Sequence, residues 1–230
     1  MQCALGIVHW ALGIVHWALY FPSPTLPILS HSTPAMGLCY SSISLQVLIA
    51  GLDESGKSSL FHTLRSKNVR SSKSSSTAPL NTSTSTYKPT LSFQHATLRL
   101  GRRVIDVKDL SGSPLTRDLW KHYVTGDVAA VIFVVDSACK ARIDEARQEL
   151  HKLMQLPSMP RDIPLLVLAN KIDLRGHLTY AELTEQLQLN ALRSHMQSKL
   201  KLVSVLGGDG VEEVVEWLAH LSPSPTASVK

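Results

Sequence analysis

Residues 51–59 read G-L-D-E-S-G-K-S-S, a match to G-x-x-x-x-G-K-S. The residue types suit one chemistry, holding a chain of phosphates. Gly51 and Gly56 let the backbone bend around an anion without Cβ clashes. The amides of Leu52, Asp53, Glu54, Ser55 and Ser59 then belong to a loop and helix start that point N–H groups at negative charge. Lys57 reaches the outer phosphates, and the Ser58 hydroxyl is a ligand for Mg²⁺. A second constellation, Asn170-Lys171-Ile172-Asp173, fits N-K-x-D. An Asp173 carboxylate accepts both hydrogen bonds from the N1–H and exocyclic amine of guanine. Adenine lacks that donor pair and would leave the carboxylate unpaired. Asn170 and the Lys171 stem brace loop and base. Asp109-Leu110-Ser111-Gly112 fits D-x-x-G, with Asp109 placed to hold Mg²⁺ through water and Gly112 to offer its amide to a third phosphate. Thr90, after Pro89, is placed to give Mg²⁺ a second hydroxyl.

The elements around these motifs explain how they would meet. The apolar run 45–50 predicts a strand entering the glycine loop, and 59–64 predicts a helix leaving it. Residues 91–100 and 103–107, joined through Gly101-Arg102, predict a hairpin. The continuous apolar runs 129–135 and 164–169 predict buried parallel strands. Residues 143–156 carry helical spacing, 201–205 predict a short strand, and 211–221 a closing amphipathic helix. Alternating strands and helices imply a doubly wound α/β sheet with ligands at the carboxyl ends of its strands.

Composition sets the frame. A chain of 230 residues with 44% apolar content holds an α/β domain of ordinary size and something besides. The net charge of +5 favours an anionic membrane surface, while no aromatic-interleaved basic patch supports nucleic-acid binding. Cys3, Cys39 and Cys139 have no disulfide spacing and suit a reducing compartment. Residues 3–21 are almost wholly apolar and repeat A-L-G-I-V-H-W in tandem, and Pro22, Pro24, Pro27 and Pro34 follow. Residues 1–35 are expected to be an extension absent from the native protein, because Met36-Gly37-Leu38-Cys39-Tyr40-Ser41 fits the myristoylation pattern M-G-x-x-x-S. On that expectation Gly37 takes an acyl chain, Cys39 adds a second, and 36–44 form a lipidated segment. The domain proper is then 45–222, interrupted by an insertion at 66–88, and 223–230 are a tail. More than half of residues 66–86 are Ser or Thr, a solvated composition.

The chain resembles the Arf and Arf-like small GTPases. The resemblance lies in 51–59, P-T-L-S-F at 89–93, D-L-S-G at 109–112, L-W-K-H-Y at 119–123, V-I-F-V-V-D-S at 131–137, A-N-K-I-D-L at 169–174 and G-D-G-V-E-E-V-V-E-W-L at 208–218. Residues 109–112 and 161–175 are most similar to the ciliary, BBSome-recruiting branch. The resemblance implies a phosphate-loop NTPase fold with a mostly parallel six-stranded sheet and one antiparallel edge hairpin. It implies GTP/GDP and Mg²⁺ as cofactors, with exchange factors, activating proteins and effector or coat proteins as partners. It further implies a cytoplasmic monomer at a membrane surface or ciliary base. Ser204-Val205-Leu206 loosely fits the family's third base-contacting loop, with the Val205 amide as the expected contact. Ser113 stands at the family's catalytic glutamine position and is followed by Pro114, which restricts its backbone. Lys108 replaces an apolar residue, and the segment after Gly37 is too short for the family's membrane helix. Two other functions stay open: a non-hydrolysing scaffold of this fold, and a membrane-anchored GTPase similar to the β-subunit of the signal-recognition-particle receptor. A phosphate-loop kinase or ATPase has no use for N-K-I-D.

Overall fold

The computed structural model describes residues 44–71, 93–101, 103–193 and 198–222. Gly37, Cys39, Thr90, the apolar repeat and most of the Ser/Thr-rich stretch lie outside them. Six strands form one sheet in the order β2-β3-β1-β4-β5-β6. They are β1 (Ser44–Ala50), β2 (Phe93–Leu100), β3 (Arg103–Leu110), β4 (Val128–Asp136), β5 (Leu165–Asn170) and β6 (Ser198–Leu202). All neighbours run parallel except β2 and β3, which pair antiparallel from Phe93↔Leu110 to Leu100↔Arg103. The expected mostly parallel sheet with one edge hairpin is the observed one.

Alternation along the central strands sorts side chains into two cores. On β4, Val131, Phe133 and Val135 face one side, and Ala130, Ile132 and Val134 the other. On β5, Leu165 and Val167 oppose Leu166 and Leu168 in the same way. The first core is closed by α2 (Ile143–Met154), α3 (Tyr180–Gln186) and α4 (Leu189–Arg193). The second is closed by α1 (Lys57–Ser71) through Leu60, Phe61 and Leu64, and by α5 (Val211–Ala219) through Val214 and Leu218. Strands covered on both faces have no solvent side, which is why β4 and β5 are unbroken apolar runs.

Three expectations change in detail. Helix α1 continues to Ser71, into the stretch expected to be a solvated insertion. The hydroxyls make that tolerable: Thr63 Oγ1 donates to the Ser59 carbonyl (2.9 Å) and Ser66 Oγ to the Thr63 carbonyl (2.8 Å). Strand β6 ends at Leu202, earlier than the expected 201–205, because Ser204 leaves the ladder and bridges to Asp209. The second hairpin strand, expected over 103–107, runs on to Leu110, since β3 pairs with β1 as far as Ile49↔Asp109. Sequence spacing also left unassigned a 3₁₀ helix (Arg117–His122), whose Trp120 packs edge-on against Phe133 at 6.4 Å.

Phe133 is fully buried in the middle of β4. Phe133→Ala is expected to lower the unfolding free energy by about 3–5 kcal/mol. Leu206→Ala, at an 80% exposed position, is expected to shift it by less than about 0.5 kcal/mol. Chemical denaturation of the two variants checks the pair.

Candidate functional site

Parallel pairing brings the carboxyl ends of β1, β3, β4, β5 and β6 to one edge of the sheet. Each strand delivers part of a constellation there. The β1 end turns into residues 51–56, and α1 starts at Lys57. Gly51 (φ +139°) lies so close to β4 that a Cβ would come within 2.2 Å of the Val134 carbonyl oxygen. Gly56 (φ +94°) leaves room for the Asn170 amide, whose Nδ2 would sit 2.1 Å from a Cβ there. Asn170 uses that closeness: its Nδ2 donates to the Ser55 carbonyl (2.9 Å), and its Oδ1 accepts the Val205 amide (3.0 Å). One side chain therefore joins the glycine loop, the end of β5 and the loop after β6.

Lys57 is almost fully buried, with Nζ donating to the Leu52 carbonyl at 2.6 Å. Desolvation pulls its ammonium down to about 8, against opposing pulls from Asp109 and Asp53. Asp109 has no exposed surface. Its Oδ2 accepts from Ser58 Oγ at 2.7 Å, and its Oδ1 is buried without a hydrogen-bond partner. Burial pushes this carboxyl up, and Ser58 and Lys57 offset that only in part. Gly112 packs on the loop so tightly that a Cβ would come 2.4 Å from the Asp53 nitrogen and 2.5 Å from Lys57 Nζ. The Asp53 amide in turn donates to the Gly112 carbonyl (3.1 Å).

These features fit GTP/GDP and Mg²⁺. A desolvated lysine and a cradle without space for side chains suit an outer phosphate. An orphaned carboxylate oxygen beside a serine hydroxyl suits a hydrated divalent cation.

Most residues singled out from the sequence converge. Ser59 is the third residue of α1 and is half-buried. Glu54 is exposed at the loop tip with φ +61°. Lys171, at φ +69°, stretches to Asp136 Oδ2 (2.7 Å), so the lysine stem lies along the strand ends. Ser204 is buried and donates to Asp173 Oδ1 (2.6 Å), which aims the carboxylate. The Val205 amide donates to Asn170 Oδ1 (3.0 Å), which closes the turn after β6. Ser113 is half-buried; its carbonyl accepts the Thr116 and Arg117 amides, and its hydroxyl makes no hydrogen bond among the described residues.

Sequence reasoning missed several supports. Ser137, fully buried, donates through both its amide (2.9 Å) and its hydroxyl (2.6 Å) to the Asn170 carbonyl. Asp136 anchors Lys171. Arg117 and Arg142 both bind the Asp53 carboxylate, at 3.1 and 2.6 Å, and Glu145 binds both arginines. Burial alone would raise the Asp53 carboxyl, but the guanidiniums, Arg142 first, hold it below the usual range. The one available signal was Asp53 itself: a carboxylate in an anion-holding loop demands a cation.

Comparison with known proteins agrees with this geometry. A family model described as the ADP-ribosylation factor family matches residues 35–221. The chain is 35% identical over 178 residues to ADP-ribosylation factor-like protein 1 of Saccharomyces cerevisiae, covering 77% of this chain and 87% of that protein. Its fold is similar, with a TM-score of 0.63 and 30% identity, to the Arl6 (BBS3) small GTPase of Trypanosoma brucei, solved with the bound nucleotide analogue GppNp. That match covers 76% of this chain and 95% of the other.

The lowered Lys57 pKa makes a measurable demand. Below about pH 8 the free amine is already protonated, and above it the amine is neutral. Phosphate binding favours the ammonium, so binding of GDP at pH 8 is expected to take up about half a proton, falling to about a tenth at pH 7. Calorimetry in buffers of differing ionisation enthalpy reads that uptake, and equal values at the two pH settings would contradict it.

Proposed function

The chain belongs to the ADP-ribosylation factor family, and on that premise we propose that it is a GTP/GDP-binding switch with Mg²⁺ as cofactor, acting in membrane trafficking. The observation that carries this reading is Asn170, which ties Ser55 of the phosphate loop to Val205 of the base-side loop while Ser204 aims Asp173. Phosphate holding and base selection are thereby one rigid unit. Lys57 and the loop amides of residues 51–59 other than Asp53, whose amide is committed to the Gly112 carbonyl, hold the phosphates, Asp173 selects guanine, and Lys171 covers the base. Ser58, Thr90 and Asp109, the last through water, would hold Mg²⁺, which when bound neutralises phosphate charge. Gly112 and Thr90 sense the third phosphate. The segments carrying them order with GTP and relax with GDP, and effectors read the difference.

Attachment to the membrane through Gly37 and Cys39 is part of the same proposal, as are exchange factors, activating proteins and coat-type effectors as partners. The likeness of residues 109–112 and 161–175 to the ciliary branch supports a role at a ciliary base. Among the described residues no helix is long and apolar enough to cross a membrane.

Hydrolysis on this reading is slow and partner-dependent. Ser113 offers a short hydroxyl where the family has a glutamine to orient water. Its backbone is fixed by the turn to Thr116 and Arg117. A non-hydrolysing scaffold of the same fold is the second reading that Ser113 favours.

Two measurements test these statements. Fluorescent GDP and GTP are expected to bind, with ATP weaker by at least about 10⁴-fold, and Asp173→Ala to erase most of that gap. Single-turnover hydrolysis is expected to be slower than the roughly 10⁻⁴ s⁻¹ of an unassisted Ras-type switch and to rise in Ser113→Gln. A faster intrinsic rate that is unchanged in Ser113→Ala would sink the slow-hydrolysis statement.

A further inference from the structure

Gly112 is held by its peptide planes rather than by a side chain. The Ser111 carbonyl accepts from Trp120 Nε1 (2.8 Å), which fixes the peptide that carries the Gly112 N–H. The Gly112 carbonyl accepts from Arg117 Nε (2.8 Å) and from the Asp53 amide, which fixes the next peptide. Between them the Gly112 amide is buried and makes no hydrogen bond among the described residues. The residue lies against the Lys57 amine.

Among the described residues, Arg117 is the side chain that hydrogen-bonds both this glycine and the phosphate loop. Its guanidinium is 6% exposed, and every edge is engaged: Nε on Gly112, Nη2 on Asp53 Oδ1 (3.1 Å), and Nη1 on Glu145 Oε1 (2.7 Å), with Glu149 Oε1 at 3.9 Å. Arg142 also binds Asp53 and Glu145 but does not reach Gly112. Arg142 therefore neutralises the loop carboxylate, whereas Arg117 both neutralises it and holds the Gly112 carbonyl, so that with Trp120 on the preceding peptide both sides of the Gly112 amide are fixed. A planar fork is needed for that, since one ammonium cannot serve three partners in fixed directions.

We propose that Arg117, anchored by Glu145, is a positioning residue that presents the Gly112 amide to the third phosphate of a bound nucleotide while holding the Asp53 carboxylate on its own cation. This rests on the nucleotide reading above. On that reading Gly112 senses the third phosphate, so the contribution is expected for the triphosphate alone.

The experiment measures dissociation constants for GDP and for a non-hydrolysable GTP analogue, with Mg²⁺, in the full chain. Arg117→Lys is expected to weaken the triphosphate about tenfold, the size of one charge-assisted hydrogen bond, and to change GDP by less than about twofold. Glu145→Gln keeps Arg117 and the loop but loosens the anchor, and is expected to weaken the triphosphate selectively by about threefold. Equal losses for both nucleotides would mark Arg117 as a plain structural brace and overturn the proposal, as would an unchanged ratio. If Arg117→Lys does not fold, the Glu145→Gln ratio decides alone. An unaltered protein that binds neither nucleotide overturns the nucleotide reading and this proposal together. One that binds both, with unchanged ratios in the variants, overturns this proposal only.

Discussion

A buried cation and a buried carboxylate stand side by side at the strand ends without forming an ion pair, and the rest of the site is arranged around that cost. Lys57 turns to a backbone carbonyl and Asp109 to a serine hydroxyl. Each is partly compensated, and each titrates away from its ordinary value because water is excluded. Removing two charges from water costs several kcal/mol per ion unless partners replace the lost solvation. Here the scaffold supplies only part of that replacement. The unmet remainder suits a ligand carrying both negative oxygens and a hydrated cation, as the proposed function requires.

Negative charge inside the loop is the complementary difficulty. Asp53 belongs to the same turn that must hold an anion. Two arginines from distant parts of the chain settle it, Arg117 from the 3₁₀ helix 117–122 and Arg142 from the turn just before α2. The same guanidiniums meet on Glu145, so the network spans the phosphate loop, the Gly112 segment and α2. Asn170 does the equivalent on the base side. The site is held by a few long-range polar braces on a sheet whose strands are packed on both faces. Strands locked in this way give those braces fixed end points.

The fold was largely legible because its signals are periodic. Buried parallel strands must be apolar throughout, and β4 and β5 are. The two nucleotide motifs were legible because each follows a strand directly. What could not be read were partners remote in sequence. Arg117 and Arg142 carry no motif, and their tie to Asp53 depends on which strand end faces which helix. The bond that the Val205 amide makes to Asn170, and the turn it closes with Ser204 and Asp209, depend on residues remote in sequence that no single motif reveals. The end of β6 was misplaced for the same reason: apolar character continues through Val203 and Val205, but the ladder does not.

The Asn170–Ser55 hydrogen bond spans 115 positions of the chain. Its other half, from Val205, comes later still. During synthesis, which proceeds from the N-terminus, the phosphate loop emerges long before either partner and cannot take its working shape alone. Contacts of such sequence separation form late and slowly, since loop closure must precede them. On the proposed function, a nascent chain lacks the Asn170–Val205 brace of its nucleotide site until β6 and the turn behind it have left the ribosome. Nucleotide capture would then report that the whole sheet has been completed.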